Sequence, residues 1–295
     1  MAPKGLSLHV GLNSVDPKHY GGWSGNLVAC EADAEDMQAI ATQQGYTSTL
    51  LKTAEATRED VIKQIRNAAK TLVKKDIFFL SYSGHGGQVP DPSGEEYDLQ
   101  DETWCLYNGE LIDDELRLLW GEFAEGVRIL VLSDSCHSGT VLKAAYYYSA
   151  RGMAAASTGG MPASDQPRYR NMPPEVALRT YRLNRKFYDQ LAADIDKKTK
   201  SLPGPLPIQS SVRLISGCQD NQLSGDGTFN GVFTGILLRV WAGGRFNGNY
   251  LDFHRQVLDR MPPDQSPNHY FIGNWSAEYD KELPFTIPHK EPKPK

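Results

Sequence analysis

Two apolar, strand-like segments each run into a short polar loop, and these loops carry a cysteine and a histidine. The stretch 127–139 ends in S-D-S-C-H-S-G, and the stretch 76–87 ends in S-Y-S-G-H-G-G. In an open α/β sheet, reactive groups collect at the carboxyl ends of such strands. Cys136 can attack as a thiolate if His85 lies within hydrogen-bond reach and takes its proton. The two loops therefore predict a nucleophilic Cys136–His85 pair.

Neither residue would support this interpretation alone. A lone cysteine after a strand is more often a small buried hydrophobe, and a lone histidine is more often a satisfied polar residue. Two such residues at two strand ends, each in a loop of glycine and serine, favour chemistry over packing. The glycines beside His85 also let a substrate backbone approach closely.

The segments that must position these residues alternate between strand and helix. Continuous apolar runs predict strands at 6–12, 46–51, 76–80, 129–132, 212–216 and 269–272, and helical spacing predicts helices at 26–44, 57–72, 113–121, 175–196, 231–242 and 250–261. Such alternation predicts a mainly parallel sheet that is covered by helices on both faces. Cys136 and His85 then meet only if the third and fourth strands are neighbours.

Three stretches fall outside this alternation. Residues 88–101 form an acidic segment that we expect to be a loop, and 284–295, rich in proline and lysine, is expected to be loose. The stretch 143–209 is rich in small and basic residues, and its proline-rich part at 202–207 predicts an extended linker.

Composition places the chain among globular proteins, with 295 residues, 40% hydrophobic residues and 23% charged residues. The net charge of −5 argues against nucleic acid as a partner. No apolar run reaches membrane-spanning length and no signal-peptide pattern is present, so no membrane partner is expected. The four cysteines are scattered without zinc spacing, which disfavours a zinc hydrolase and favours a reduced, cytoplasmic setting.

Four motifs together resemble a known family. The motifs Y-S-G-H-G-G at 82–87 and D-S-C-H-S-G at 134–139 are similar to those of caspase-like cysteine peptidases, and more narrowly to those of metacaspases and their bacterial relatives. C-E-A-D-A at 30–34 and S-G-C-Q-D-N-Q at 216–222 extend the resemblance over almost the whole chain. The resemblance implies the α/β caspase-hemoglobinase fold, with a six-stranded, mainly parallel sheet in the order 2-1-3-4-5-6, helices on both faces and one active site per chain.

The resemblance also implies a division of the chain. Residues 1–288 are expected to form one caspase-like domain, comprising a large-subunit-like part at 1–142, an insert at 143–210 and a small-subunit-like part at 211–288, with a loose tail at 289–295. The protein is expected to be a monomer.

By motif, the resemblance makes Cys136 the nucleophile and His85 the general base and acid. The backbone N–H groups of Gly86 and Cys136 are the implied oxyanion donors, and His137 is expected to be structural. In metacaspases the positions that line the pocket for the residue before the cut correspond to Cys30, Asp33, Ser83 and Asp134.

Two carboxylates in one pocket favour a cationic ligand. Arginine satisfies Asp33 and Asp134 through its planar fork, and lysine does so as a point charge. The alternative is that Asp33 is a surface helix residue and Asp134 an ordinary helix cap.

The residues that would bind calcium are where the chain departs from the family pattern. Many metacaspases bind Ca²⁺ through four acidic positions, of which Asp98, Asp113 and Asp114 match here. The fourth position is Lys143, whose ammonium group would repel a cation. No cofactor is therefore required, calcium is a possible ligand, and the alternative is that the acidic stretch is simply solvated.

The favoured function is a cysteine endopeptidase that acts on peptides or proteins and cuts after Arg or Lys. The alternatives are a related peptidase with Asn or Asp preference and a catalytically idle scaffold that binds partners through the same cleft. The insert at 143–210 is expected to be cut by the enzyme itself or by a related peptidase, and one of its basic side chains could fill the acidic pocket of the uncut chain. The candidates for this cut include Arg151, Arg168, Arg170, Arg179, Lys186 and Lys198.

Overall fold

A six-stranded sheet crosses the protein and ends at the candidate site. The computed structural model describes residues 2–90, 100–135, 168–201, 206–217, 225–226, 229–263 and 265–287. Its strands are β1 (Gly5–Gly11), β2 (Thr47–Lys52), β3 (Ile77–Ser83), β4 (Gly86–Pro90), β5 (Gln100–Leu106), β6 (Gly109–Ile112), β7 (Arg128–Asp134), β8 (Arg168–Tyr169), β9 (Ser211–Ser216), β10 (Gly225–Asp226) and β11 (Asn268–Gly273).

The strand order of the large sheet is β2-β1-β3-β7-β9-β11. All neighbouring strands are parallel except β11, which runs antiparallel to β9. Counted along the chain, these six strands therefore have the predicted order 2-1-3-4-5-6, which is confirmed. The strands that lead to His85 and Cys136, β3 and β7, are neighbours, and every residue in both is buried. Burial on both faces explains their continuous apolar sequences.

Helices cover both faces of this sheet. They are α1 (Cys30–Gln43), α2 (Arg58–Thr71), α3 (Asp113–Gly121), α4 (Pro174–Leu183), α5 (Arg185–Lys200), α6 (Val232–Trp241), α7 (Tyr250–Leu258) and α8 (Ala277–Lys281). None of the helices in the described ranges is long and apolar enough to cross a membrane.

The side-chain alternation of β3 shows how the two faces are filled. Phe78 packs in the core beneath α2 and α3, whereas Phe79 packs in the core beneath α1, α6 and α7. The two cores pack against both faces of the sheet, so the strand ends that precede the polar loops are held in place.

A second, three-stranded sheet replaces the loop that was expected around 88–101. Strands β4, β5 and β6 form an antiparallel meander, although residues 91–99 lie outside the described part. The turn between β5 and β6 consists of Tyr107 and Asn108, because Leu106 pairs with Gly109. The missed signal is the turn-favouring Asn108 between two short apolar segments.

Two further expectations need correction. The helix expected at 175–196 is two helices, α4 and α5, separated at Asn184, whose side-chain amide donates to the carbonyls of His19 and Thr180. The start of the supposedly loose tail is packed, because Phe285 and Ile287 are only 1% and 8% exposed. The proline-rich composition concealed these two apolar anchors; residues 288–295 lie outside the described part.

Candidate active site

Strands β3 and β7, which precede the two predicted reactive loops, end side by side. Ser83 and Asp134 are register partners in neighbouring parallel strands. His85 and Cys136 follow these partners by two residues each along the chain. Cys136 itself lies outside the described residues, as does His137, whereas His85 is described and only 5% exposed.

His85 is oriented by a backbone carbonyl. Its Nε2 lies 2.9 Å from the carbonyl oxygen of Gly25. Because a carbonyl can only accept, Nε2 carries the proton and the neutral ring presents Nδ1 as a base. Nδ1 is buried and has no hydrogen-bond partner among the described residues. Trp23 packs against the ring at 4.7 Å between centroids, which shields this side of the imidazole from water.

Gly25 must be a glycine for this contact to form. Its φ is +53°, in the left-handed region, and a Cβ would lie 2.9 Å from the His85 ring and closer still to Trp23. Burial lowers the pKa of His85 to about 4, against smaller raising effects of the Gly25 carbonyl, Asp226 and the Asn171 backbone. The imidazole is thus a neutral base at neutral pH.

Gly86, the predicted oxyanion donor, already faces a carbonyl. Its N–H donates to the carbonyl oxygen of Arg170 at 2.9 Å, and its own carbonyl accepts from the N–H of Met172 at 2.7 Å. These two bonds hold Asn171 beside Gly86 in a parallel bridge. An amide aimed at a peptide carbonyl is the geometry needed to stabilise a developing oxyanion.

An acidic pocket lies beside this contact and is filled by the side chain of Arg170. We use the term acidic pocket for the side chains of Asp33, Ser83, Asp134 and Asp226. Arg170 Nη2 lies 2.7 Å from Asp33 Oδ2 and 3.1 Å from Asp226 Oδ1. Its Nη1 lies 3.0 Å from Asp134 Oδ2 and donates to Ser83 Oγ at 2.8 Å. The Arg170 side chain is 0% exposed.

The electrostatics of the pocket follow from this pairing. Burial raises the pKa of Asp33 to about 6, although Arg170 opposes this shift. Burial lowers the pKa of Arg170, but the surrounding acids, led by Asp134, raise it well above its ordinary value overall. Burial likewise raises the pKa of the Cys30 thiol to about 12, so Cys30 lines the pocket as a neutral group. The pocket is therefore built to hold a permanent cation.

Several residues that hold the acids in place were missed by the sequence analysis. The N–H of Gly231 donates to Asp33 Oδ1 at 3.0 Å, and the Asn230 amide donates to the same oxygen at 3.0 Å. Thr234, in the first turn of α6, donates to Asp134 Oδ2 through its backbone and its hydroxyl, at 3.1 and 2.7 Å. A helix N-terminus is a favourable site for a carboxylate.

Asp226 is the third acid of the pocket and was also not predicted. Besides Arg170, its carboxylate accepts from the backbone N–H groups of Val28 and Ala29, at 2.9 and 3.3 Å, just before α1. Asp226 sits in the motif S-G-D-G at 224–227, which by itself signals only a turn. Its role depends on a contact across 198 residues, which no local pattern encodes.

The predicted calcium positions are only partly described. Asp113 and Asp114 begin α3 and, with Asp101 and Glu102, line a cavity of about 260 Å³. Asp98 and Lys143 lie outside the described residues. Within the described ranges, no three His, Cys, Asp or Glu side chains come together in a way that could hold a metal ion. Calcium binding therefore stays a prediction.

Comparison with known proteins agrees with this architecture. The caspase-domain family matches residues 15–281. Metacaspase-1A of Aspergillus clavatus is 29% identical over 261 residues, covering 81% of this chain and 58% of that protein. Metacaspase-1 of Pyricularia oryzae is 30% identical over 258 residues, covering 79% of this chain and 62% of that protein. The chain thus spans about three fifths of the length of these relatives.

Two solved structures share the fold. Protein GSU0716 from Geobacter sulfurreducens is 54% identical, with a TM-score of 0.85 over 97% of this chain and 100% of that one. Caspase-1 from Spodoptera frugiperda is 10% identical, with a TM-score of 0.50 over 92% of this chain and 86% of that one, so it supports the fold alone. Because the family match covers most of its length, the chain belongs to the caspase-domain family.

Proposed function

We propose that this protein is a cysteine endopeptidase that cuts after arginine or lysine by means of a Cys136–His85 dyad. The observation that supports this most directly is the guanidinium of Arg170 in the acidic pocket, with the carbonyl of the same residue on the Gly86 N–H. A substrate residue in this position would place its basic side chain and its carbonyl on the same groups.

The reaction begins with proton transfer from the Cys136 thiol to His85 Nδ1. The thiolate then attacks the carbonyl carbon of the residue before the cut, and the carbonyl oxygen takes the negative charge. The C–N bond breaks as His85 returns the proton to the departing amine, which leaves a thioester on Cys136. Water then attacks the thioester carbonyl and gives one proton to His85. The C–S bond breaks, His85 returns the proton to the Cys136 sulfur, and the acid product ionises to a carboxylate, so that one water is consumed for each bond cut.

Gly86 contributes to the step in which charge develops. Its N–H is fixed on the carbonyl position at 2.9 Å, so no reorganisation is needed when that oxygen becomes negative. Loss of one such donor typically costs about 2.7–4 kcal/mol of transition-state stabilisation. The Cys136 N–H is the second proposed donor.

The charge of the acidic pocket supports the preference for a basic residue. An Asp or Asn side chain in the same place would leave the carboxylates of Asp33 and Asp134 buried without a cation, which is strongly unfavourable. The planar fork of arginine can engage these carboxylates and Ser83 together, whereas lysine offers one ammonium group.

A panel of fluorogenic peptides ending in Arg, Lys, Asn or Asp tests this proposal. Wild type is expected to release the fluorophore after Arg and Lys, and Cys136→Ala and His85→Ala are expected to lose at least about 10²-fold in kcat/KM. His254→Ala is a matched control, because His254 also places Nε2 2.9 Å from a backbone carbonyl, that of Pro267. Equal turnover of Asp reporters, or activity retained without Cys136, would refute the proposal.

A further inference from the structure

Tyr82 and Trp104 form a stacked pair near the strand ends that precede the two reactive loops. Their ring centroids lie 4.5 Å apart, and the planes of the rings differ by 7°. Tyr82 lies in β3, the strand that leads to His85. Trp104 lies in β5, where it is the register partner of Gly86 in β4. Both side chains are buried, and close-packed side chains hold each other in place.

The Tyr82 hydroxyl holds the backbone of His85. It donates to the carbonyl oxygen of His85 at 2.7 Å, and the N–H of Cys105 donates to the same oxygen at 2.9 Å. The hydroxyl packs against Gly84, where a Cβ would lie only 2.6 Å from it. Burial raises the pKa of Tyr82 well above its ordinary value, so the hydroxyl remains a donor at neutral pH. The backbone of His85 is thus fixed from the core, while its ring is oriented by the Gly25 carbonyl.

The Trp104 indole reaches the strand end that leads to the other reactive loop. Its Nε1 donates to Ser133 Oγ at 3.1 Å, and Ser133 Oγ forms a hydrogen bond of 2.9 Å with Ser135 Oγ. Both serines are buried, and Ser135 directly precedes Cys136 in the chain. Ser133 is also the register partner of Tyr82 in the neighbouring strand. Two hydrogen bonds therefore connect the ring pair to the start of the Cys136 loop.

We infer that Tyr82 and Trp104 are positioning residues, which set His85 and Cys136 at the separation and angle that proton transfer needs. Tyr82 acts through the carbonyl of His85, and Trp104 acts through the two serines described above. The inference rests on the proposed function, since it explains how the buried core holds that dyad together. Neither ring supplies a reacting atom, because both act through other residues.

The two reactive groups follow separate strands, so their separation depends on what joins the strand ends. Ser83 and Asp134 are neighbours in the sheet, but His85 and Cys136 lie two residues beyond them. A misplacement of about 1 Å can lower the rate of a reaction roughly 10²-fold. The thiol also becomes a nucleophile only while the imidazole is close enough to take its proton. Loosening either connection is therefore expected to lower kcat and the reactivity of the Cys136 thiol, with little change in KM.

Tyr82→Phe tests the connection to His85, because it removes the hydroxyl and keeps the stacked ring. The His85 carbonyl retains its hydrogen bond from the Cys105 N–H, so the variant is expected to fold. Its kcat on an Arg reporter is expected to fall about 10-fold or more, with KM within about twofold of wild type. Tyr279→Phe is the matched control and is expected to retain kcat. The buried Tyr279 hydroxyl also donates to a backbone carbonyl, that of Ile129 at 3.2 Å, near the start of β7.

Trp104→Phe tests the other connection, because it keeps an aromatic ring and removes the indole N–H. Its kcat is expected to fall about 10-fold or more. Trp241→Phe is the matched control, since Trp241 is also buried but lies in the core on the opposite face of the sheet. The two substitutions remove the same volume, so a fall in kcat that only follows stability would occur in both. Ser133→Ala removes the acceptor of the indole with a smaller change in volume, and it tests the same connection if Trp104→Phe fails to fold.

The reactivity of Cys136 gives a readout that needs no peptide substrate. The rate at which iodoacetamide alkylates the peptide containing Cys136 is followed by mass spectrometry near neutral pH. The thiolate is the species that reacts, and His85 promotes its formation. The rate is expected to fall several-fold in Tyr82→Phe and in Ser133→Ala, and to stay at the wild-type value in the two controls. Circular dichroism and thermal melting identify which variants are folded.

The two proposals fail in different ways. Wild type that cleaves no reporter overturns the proposed function and the inference with it. Reporter cleavage by wild type, with unchanged kcat and alkylation rate in folded Tyr82→Phe and Ser133→Ala, overturns the inference and leaves the proposed function standing. An equal fall in kcat in Tyr279→Phe and Trp241→Phe also overturns the inference, because the effect would then follow stability. So does a rise in KM at unchanged kcat, because the ring pair would then act on substrate binding.

Discussion

Arg170 and Asp33 form a fully buried ion pair, in which Nη2 lies 2.7 Å from Oδ2 and neither side chain is more than 1% exposed. The pair joins the first helix of the domain to the insert. Breaking such a pair by removing one partner commonly costs about 3–5 kcal/mol, because the other charge stays buried. The acids of the pocket are therefore best tested in chains that lack the internal arginine.

Asp33→Asn, introduced beside Arg170→Ala, is expected to weaken the cleavage of Arg reporters. Loss of one buried partner of a charged contact typically costs about 2–5 kcal/mol, which here would be lost from the free energy of transition-state binding. The measurement is kcat/KM on an Arg reporter. Asp36→Asn is the control. Asp36 lies three residues after Asp33 in α1 and accepts a hydrogen bond from the same Asn230 amide at 2.8 Å, but it does not contact Arg170. Equal effects of the two substitutions would contradict the assignment of Asp33 to the pocket.

Asp226→Asn is expected to reduce cleavage after arginine more than cleavage after lysine. Asp226 Oδ1 lies 3.1 Å from Nη2 of the Arg170 guanidinium, a second nitrogen that a lysine ammonium does not have. A hydrogen bond to a charged group is worth about 1.5–3 kcal/mol. The measurement is the ratio of kcat/KM values for Arg and Lys reporters.

The design of this substitution separates recognition from stability. The Val28 and Ala29 N–H groups donate to different oxygens of Asp226, so asparagine keeps an acceptor for only one of them. The melting temperature is therefore measured beside kcat/KM, and the Arg-to-Lys ratio is the readout that a general loss of stability would not change. A parallel fall for both reporters, with an unchanged ratio, would show that Asp226 does not read the guanidinium fork.

The sheet could be predicted from the sequence because each of its strands is marked by a local run of apolar residues. The apolar runs before His85 and Cys136 need burial on both faces, and alternation with helices leaves few ways to arrange them. The positions of Asp33 and Asp134 were predicted from the resemblance to metacaspases and not from the apolar runs. Local patterns therefore account for the architecture, and the family motifs account for two of the pocket acids.

The remaining pocket residues could not be predicted because their roles are set by distant contacts. Arg170 was one of several basic residues in the insert, and its place in the pocket depends on ion pairs with Asp33, Asp134 and Asp226, which lie far from it along the chain. Asp226 and Gly231 lie in turns. A turn sequence predicts a change in chain direction, but it does not predict which distant residues the turn will contact. These positions follow only from the folded chain.

Calcium is expected to stimulate this enzyme less than it would a protein with acids at all four matching positions. Asp113 and Asp114 are present at the start of α3, but Lys143 replaces the fourth acid. Reporter turnover is to be compared in chelator and in millimolar Ca²⁺. Lys143→Asp is the gain-of-function arm and is expected to increase the response to calcium. A strict, saturable calcium requirement in wild type would refute this prediction.

Glu110→Gln is expected to remove a pH-dependent component of stability. Glu110 is fully buried, and its carboxylate accepts from Thr103 Oγ1 at 2.6 Å and from the Tyr188 hydroxyl at 3.2 Å. Burial raises its pKa from 4.5 to about 7, against the lowering effect of these two hydrogen bonds. The folded state therefore holds this proton more tightly than the unfolded state does.

The sign of the effect follows from that difference. The stabilisation from the protonated Glu110 is complete below the unfolded pKa near 4.5 and is lost as the pH rises through about 7. The free energy of unfolding, measured by urea titration from pH 5 to 8, is expected to fall by about 2.5 kcal/mol more in wild type than in Glu110→Gln. Glu122→Gln, at an exposed residue that pairs with Arg66, is the control and is expected to follow wild type. Parallel profiles for wild type and Glu110→Gln would mean that this carboxyl group ionises in the core without cost.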